Sequence, residues 1–463
     1  MGRTSIAAGL AVLLGALTPR AGWGQSPRGE LRDDTVVVSL AQAEQLALRN
    51  HPTVAQSRLD VSVAQSRQQQ ARDARFVPKL ELSNVWGPIP RARGEFTDTG
   101  VLVSPDTSTS LGDLRWFTEV DLAVVQPLYT FGTLSGLVDA ADFGVQASRS
   151  GLDASNDKVR LEVRKLYWGL VLGQELVDIA DDVLNQIVDA DSILERRYDE
   201  GSATQNDMFK FEIFKYQVQK RRREAEDRYA MAEAGMQAML GFERTTSVRT
   251  DVDELTPLPT NLGPLEQYLS VAAENRPEVG QLQAGIAARS ALARSKRGEM
   301  FPQLFLGADV KWNRAPSRFD PRNPFIYNPT NFFRPGIAVG FRWNMNLFQT
   351  RDEVRLAEHE TTRLINQVSP LDKKIRLEVQ SAYLAVVRAR ADVEQSEDAL
   401  KASTNWFRAE SQTFDLGLSE IKDLVDAFQA NIEMQTEHLT NVFRLNTALA
   451  ELSRAIGRDL YVT

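Results

Sequence analysis

The chain is written twice, and that duplication constrains its fold more than any other feature of the sequence. Residues from about Val36 to Gly241 are paralleled, element by element, by residues from about Gly263 to Gly457. Asn50-His51-Pro52 answers Asn275-Arg276-Pro277, and Phe76-Val77-Pro78-Lys79-Leu80 answers Phe301-Pro302-Gln303-Leu304. Further on, Arg160-Leu161-Glu162-Val163 recurs as Arg376-Leu377-Glu378-Val379, Gly201 as Gly417, Asp207 as Asp423 and Gly241 as Gly457, all at one constant offset. Unrelated segments do not hold a common frame over such a stretch, so each copy is one structural half. The expected division is a leader at residues 1–24, a first repeat at 25–259 and a second at 260–463.

The leader reads from Met1-Gly2-Arg3, an apolar run from Ile6 to Leu17, and Gly22-Trp23-Gly24. Basic start, hydrophobic run and small-residue cleavage site are the pattern of an exported chain, with the mature protein beginning near Gln25. No other stretch approaches the roughly 20 apolar residues that a spanning helix needs. A mature chain that crosses a membrane must therefore do so by β-strands. The sequence has no Cys, which excludes disulfides and thiolate chemistry. His51, His359 and His438 stand at spacings that suit neither a zinc site nor a catalytic triad. No metal, cofactor or enzymatic activity is expected, and a hydrolase fails for want of a clustered acid, base and nucleophile. The formal net charge of −8 speaks against a nucleic-acid partner, and Lys220-Arg221-Arg222-Arg223 followed by Glu224 and Glu226 reads as a solvated helix face.

Proline is absent between Pro127 and Pro257 and again after Pro370. Both intervals carry apolar residues at steps of three and four, as in Leu176, Ile179, Val183 and Ile187, or Leu439, Val442, Leu445, Leu449, Leu452 and Ile456. These are coiled-coil-like helices. Their punctuation falls in Tyr198-Asp199-Glu200-Gly201-Ser202-Ala203-Thr204 and in Phe414-Asp415-Leu416-Gly417-Leu418-Ser419. There a glycine closes one helix while Thr204 or Ser419 is expected to cap the next, giving hairpin tips near 201 and 417. The roughly 69 residues from Gly132 to Gly201, at 1.5 Å each, make on the order of 100 Å of helix. Ser369-Pro370 predicts a bend or break in the second long helix, and Ser150-Gly151 lies at nearly the corresponding place in the first.

Between these helices the period changes to two. Strands are expected at 76–86, 115–128, 302–313 and 333–347, with Leu80, Leu82, Trp86, Val120, Leu122, Val124, Leu304, Leu306, Val310, Ile337, Val339 and Phe341 alternating with polar or small residues. One apolar and one polar face over about ten residues is the pattern of a transmembrane β-barrel strand; the alternative is a half-buried strand of a soluble sandwich. Trp86, Trp116, Trp312 and Trp343 in or beside the strands fit an interfacial aromatic belt, and polar loops at 87–113 and 314–331 fit an outer rim. Four strands cannot close a barrel, and an open edge in hydrocarbon leaves backbone groups unsatisfied. The chain must oligomerise: two copies give eight strands with a filled interior, three give twelve and room for a lumen, which points to a trimer.

These residues resemble the TolC-type outer-membrane efflux channels over almost all of the mature chain. The resemblance is carried by Ser39-Leu40-Ala41-Gln42-Ala43, by Leu46-Ala47-Leu48-Arg49-Asn50-His51-Pro52, by the strand-to-helix junction Gln126-Pro127-Leu128-Tyr129-Thr130-Phe131-Gly132, and by the two tips. It implies a mainly α protein with duplicated long hairpins forming a periplasmic α-barrel, and four strands per chain completing a 12-stranded outer-membrane barrel in a homotrimer. It further implies a passive conduit gated at the periplasmic tips. The setting would be a tripartite efflux or type I secretion system of a Gram-negative-type bacterium, with a periplasmic adaptor protein and an inner-membrane pump of RND, ABC or MFS type as partners. The cargo is not implied.

The resemblance also implies a pore constriction at Asp423 and Asp426, which stand three apart and so share a helix face. A three-fold axis would turn each into a ring of carboxylates that favours cations. The competing role is that of first-turn acids at a helix N-terminus. Asp207 is their first-half counterpart, although Thr204-Gln205-Asn206-Asp207 also fits a capping-box spacing. Phe414 and Ser419 complete the expected constriction; they stand where the family places a Tyr and an Arg that tie neighbouring hairpins shut, so that latch is not carried over. Gly201, Ser202, Ala203, Gly417 and Leu418 are the expected adaptor-docking tips. A periplasmic or secreted coiled-coil protein without a pore, structural or adhesive, is the alternative reading.

Overall fold

The computed structural model describes residues 35–91, 93–96, 102–106, 113–259, 261–318, 320 and 325–461; the leader lies outside them. Two runs of elements follow one another. The first is β1 (Val36–Val38), α1 (Leu40–Asn50), α2 (Pro52–Phe76), β2 (Lys79–Pro90), β3 (Arg93–Phe96), β4 (Leu102–Asp106), β5 (Leu114–Tyr129), α3 (Thr133–Asp199), α4 (Gln205–Leu240) and β6 (Val248–Thr250). The second is α5 (Leu265–Asn275), α6 (Pro277–Gly298), β7 (Gln303–Arg314), β8 (Phe332–Arg342), α7 (Leu347–Ile365), α8 (Val368–Asp415) and α9 (Ile421–Ile456). The repeated Asn-X-Pro motif is a helix-to-helix junction. Its proline takes the first turn of α2 and of α6, where a missing N–H leaves no gap in the ladder.

Helix α3 runs unbroken for 67 residues, so Ser150-Gly151 does not interrupt it. These residues lie against α6, where a Cβ on Gly280 would meet the Ser150 hydroxyl at 3.1 Å and one on Gly151 the Gln281 amide at 3.4 Å. A helical glycine costs only about 1 kcal/mol, and α3 continues through it with α6 packed alongside. The second half does break, at Asn366-Gln367, and Pro370 falls in the first turn of α8 rather than at the break.

The helices bury two separate cores. One lies around α1, α3, α4, α8 and α9, with Tyr167, Leu170, Leu240, Val386, Leu452 and Ile456 at its centre. The other lies near the hairpin tips and is aromatic, with Phe211, Phe214, Phe414 and Phe428.

The sheet has the order β2-β5-β7-β8 and is antiparallel throughout. Cross-strand rows fix its faces. Leu80, Val124, Ala308 and Ile337 form one row and Ser83, Asp121, Lys311 and Arg334 another, on opposite sides. The strand limits differ from expectation at three places. Phe76 still belongs to α2. β2 continues to Pro90, and a small β3–β4 hairpin occupies part of the expected 87–113 loop. β8 stops at Arg342 because Asn344 accepts a hydrogen bond from the Asn346 backbone at 3.3 Å, turning the chain into α7, which Leu347 begins.

Candidate functional site: hairpin tips and an apolar sheet face

Both tips are built on the same turn. Gly201 (φ +77°) and Gly417 (φ +79°) adopt the left-handed conformation that a Cβ disfavours. At the first tip the N–H of Gly201 donates to the Tyr198 carbonyl at 3.0 Å and that of Ser202 to Arg197 at 2.9 Å. At the second, Gly417 donates to Phe414 at 2.9 Å and Leu418 to Thr413 at 3.0 Å. Each is a Schellman closure, which satisfies the last carbonyls of α3 and α8. Gly201, Ser202, Gly417 and Leu418 are exposed and Ala203 is half-buried, so both turns are presented to solvent.

The starts of the following helices differ. Thr204 caps α4 in a full capping box: its hydroxyl accepts from the Asp207 N–H, and the Asp207 carboxylate accepts from the Thr204 N–H at 3.0 Å and hydroxyl at 2.6 Å. These hydrogen bonds, and Lys210 3.6 Å away, hold the Asp207 carboxyl below the usual range. The cap of α9 is Glu420, not Ser419, and it makes no side-chain cap bond; Ser419 instead donates its hydroxyl to Glu410. Asp423 and Asp426 are both exposed, on the side of α9 opposite the buried Ile421, Leu424, Val425 and Phe428. Asp207 is thus occupied in a cap, whereas its counterpart's carboxylate projects to solvent.

Phe414 does not line an open surface. It is 1% exposed within the aromatic tip core, on the buried face of the last turn of α8. Over its ring, 4.1 Å from the centroid, lies the guanidinium of Arg197 from the other hairpin. Arg197 also donates to the Ser419 carbonyl at 3.2 Å and to the Phe414 carbonyl. Nothing in the sequence singles out Arg197; its only signal is a cation in the last turn of a helix.

At the far end of the molecule the sheet exposes its apolar face, with Leu82 at 69%, Ile337 at 76% and Phe341 at 71%. Trp86 and Trp116 pair at 5.6 Å, and Trp312 is bracketed by Val120 and Phe333 toward the β2–β5 loop end. Trp343 lies at the opposite, helical end, donating its indole N–H to the Met300 carbonyl at 3.1 Å. The tryptophans therefore mark both ends of one apolar band, as amphipathic rings do at the two surfaces of a bilayer. The opposite face carries the Asp121–Lys311 ion pair at 3.1 Å. Among the described residues no helix is long and apolar enough to cross a membrane, and no group of His, Asp or Glu is arranged for a metal.

A one-sided antiparallel sheet joined to paired helices of such length defines a membrane β-barrel subunit with a long α-helical extension. The Outer membrane efflux protein family matches residues 43–242 and again 268–458, and the chain belongs to that family. It is 22% identical over 383 residues to the cobalt-zinc-cadmium resistance protein CzcC of Cupriavidus metallidurans, covering 82% of this chain and 85% of that one. Among solved structures, CusC superposes with a TM-score of 0.73 at 14% identity over 94% of this chain and 96% of that one. The open-state MtrE outer membrane channel of Neisseria gonorrhoeae gives 0.71 at 14% identity, covering 93% and 95%. CusC and MtrE share the fold across nearly the whole length of both chains.

Proposed function

We propose that the chain is the outer-membrane channel of a tripartite export system, a passive conduit from periplasm to exterior. Three copies pair β8 of one with β2 of the next and close a twelve-stranded barrel; their six hairpins enclose a periplasmic tunnel. The observation that carries this reading is the sheet, which has one exposed apolar face and, among the described residues, two unpaired edges. In hydrocarbon an unpaired edge leaves N–H and C=O groups without partners, so such a sheet must close on further copies. At the other end Asp423 and Asp426 face the bore as two carboxylate rings, and the exposed turns at Gly201–Ala203 and Gly417–Leu418 receive a periplasmic adaptor that couples the channel to an inner-membrane pump. The metal-resistance name belongs to CzcC; the carboxylate rings favour cations in general and select no particular cargo.

The test is fractionation. The account expects the protein in the outer membrane, extracted only by detergent, and running unheated on denaturing gels as a trimer that collapses to a monomer on boiling. A monomer released without detergent would instead support the coiled-coil protein without a pore.

A further inference from the structure

We infer that Arg197 is the positioning residue of the constriction, a pin from the first hairpin that fixes where the second hairpin holds Asp423 and Asp426. The inference rests on the channel reading. Arg197 stands in the last turn of α3, and its side chain leaves that helix for the second tip. Its partners there are two carbonyls, those of Phe414 and Ser419, and the face of the Phe414 ring. The three anchors lie on both sides of the Gly417 turn. They therefore fix the end of α8 and the approach to α9 together, and Asp423 follows Ser419 within one helical turn.

The chemistry explains why an arginine does this. The Phe414 carbonyl belongs to the last turn of α8, where the helix presents partial negative charge, and Arg197 itself sits at the equivalent end of α3. One guanidinium thus neutralises two helix C-termini. Its planar fork can donate to two acceptors while lying flat on a ring; a lysine ammonium can satisfy the acceptors only one at a time and stacks less well. The contact runs in one direction. The residue equivalent to Arg197 in the second repeat, four before Gly417, is Thr413, whose hydroxyl donates back to Ala409 within its own helix. Beside the pin lies a groove of about 360 Å³ between the two tips, lined by Glu200, Asp207 and Glu420 as well as Arg197. Among the residues lining that groove, Arg197 is the cation that reaches from the first tip to the second.

The test uses the full-length trimer in planar bilayers, with Arg197→Ala, Arg197→Lys and Phe414→Leu. A second readout is the distance between spin labels on Gln205→Cys and Leu418→Cys, in labelled chains diluted with unlabelled ones; the protein has no Cys of its own to interfere. Arg197→Ala should broaden the label distances, raise single-channel conductance severalfold and weaken cation block, with trimer melting unchanged. Arg197→Lys and Phe414→Leu should fall between it and wild type, and they carry the test if the alanine variant fails to assemble. Unchanged label distances overturn the pin whatever the conductance does. Broadened distances with wild-type conductance and block overturn its role at the constriction. A wild-type trimer that conducts nothing defeats the channel reading, and the label distances then decide the pin alone.

Discussion

The two hairpin tips share a frame and spend it differently. Both close a helix with a left-handed glycine and a pair of backbone hydrogen bonds, at equivalent positions of the repeat. At the first tip the acid six residues past the glycine is folded into a capping box. At the second the equivalent acid, Asp423, has no such partner, because Glu420 rather than a Thr or Ser precedes the helix, and it projects to solvent beside Asp426. Duplication thus supplied two like turns; the residue before the second helix leaves Asp423 uncapped, and Asp426 stands where the first repeat has Lys210. The lesson is that the turn geometry is structural while the capping chemistry decides which acid is available.

The largest expected effect tests whether the tips share one core. Phe428 packs against Phe214 of the first hairpin at 5.5 Å and Phe407 of the second at 4.4 Å. Phe428→Ala should cost about 3–5 kcal/mol and accelerate amide exchange at both tips. Acceleration at the second tip alone would break the idea of a common core. Next come the glycines: Gly201→Ala and Gly417→Ala should each cost about 1–2 kcal/mol, since both force a Cβ into the left-handed region. A clear inequality in exchange protection between the two variants would show that the frames are not equivalent. Smaller again, Thr204→Ala should cost about 1 kcal/mol at the start of α4. Ser419→Ala should leave the start of α9 nearly unchanged, and an equal loss would return Ser419 to the capping role expected of it. The smallest effect is pH-dependent. Asp207 has its carboxyl lowered by its Thr204 hydrogen bonds, so its stabilisation is present above the unfolded value of roughly 4 and is lost as pH falls through the lower folded value. Protection of the first turn of α4 should fade in that acid window, and Asp207→Asn should flatten the profile.

What the sequence made legible was local. The glycine turns, the period-two rows of the strands and the uninterrupted apolar spacing of α3 all depend on neighbours along the chain, and they stand where expected. Strand ends were less legible: the turn at Asn344 that stops β8 short of Leu347 depends on one side chain bending back on its own backbone. Ser150-Gly151 stays inside an unbroken α3, and helix α6, distant in sequence, packs over that place. The tip contacts were hidden because they too join segments distant in sequence. Phe414 sits at a turn and reads as available, but it is buried by Arg197 of the other repeat and by an aromatic core that both repeats build. Ser419 fits a capping pattern, yet Glu410 takes its hydroxyl.

The central claim is that only the second tip furnishes the cation-attracting ring. The most direct measurement is single-channel block by a multivalent cation in planar bilayers, comparing Asp423→Asn with Asp426→Asn against Asp207→Asn. The account predicts that the paired substitution weakens block by roughly tenfold or more, a change of ~1.4 kcal/mol, while Asp207→Asn leaves it as in wild type. Unaltered block in the paired variant, or an equal loss from Asp207→Asn, would contradict it.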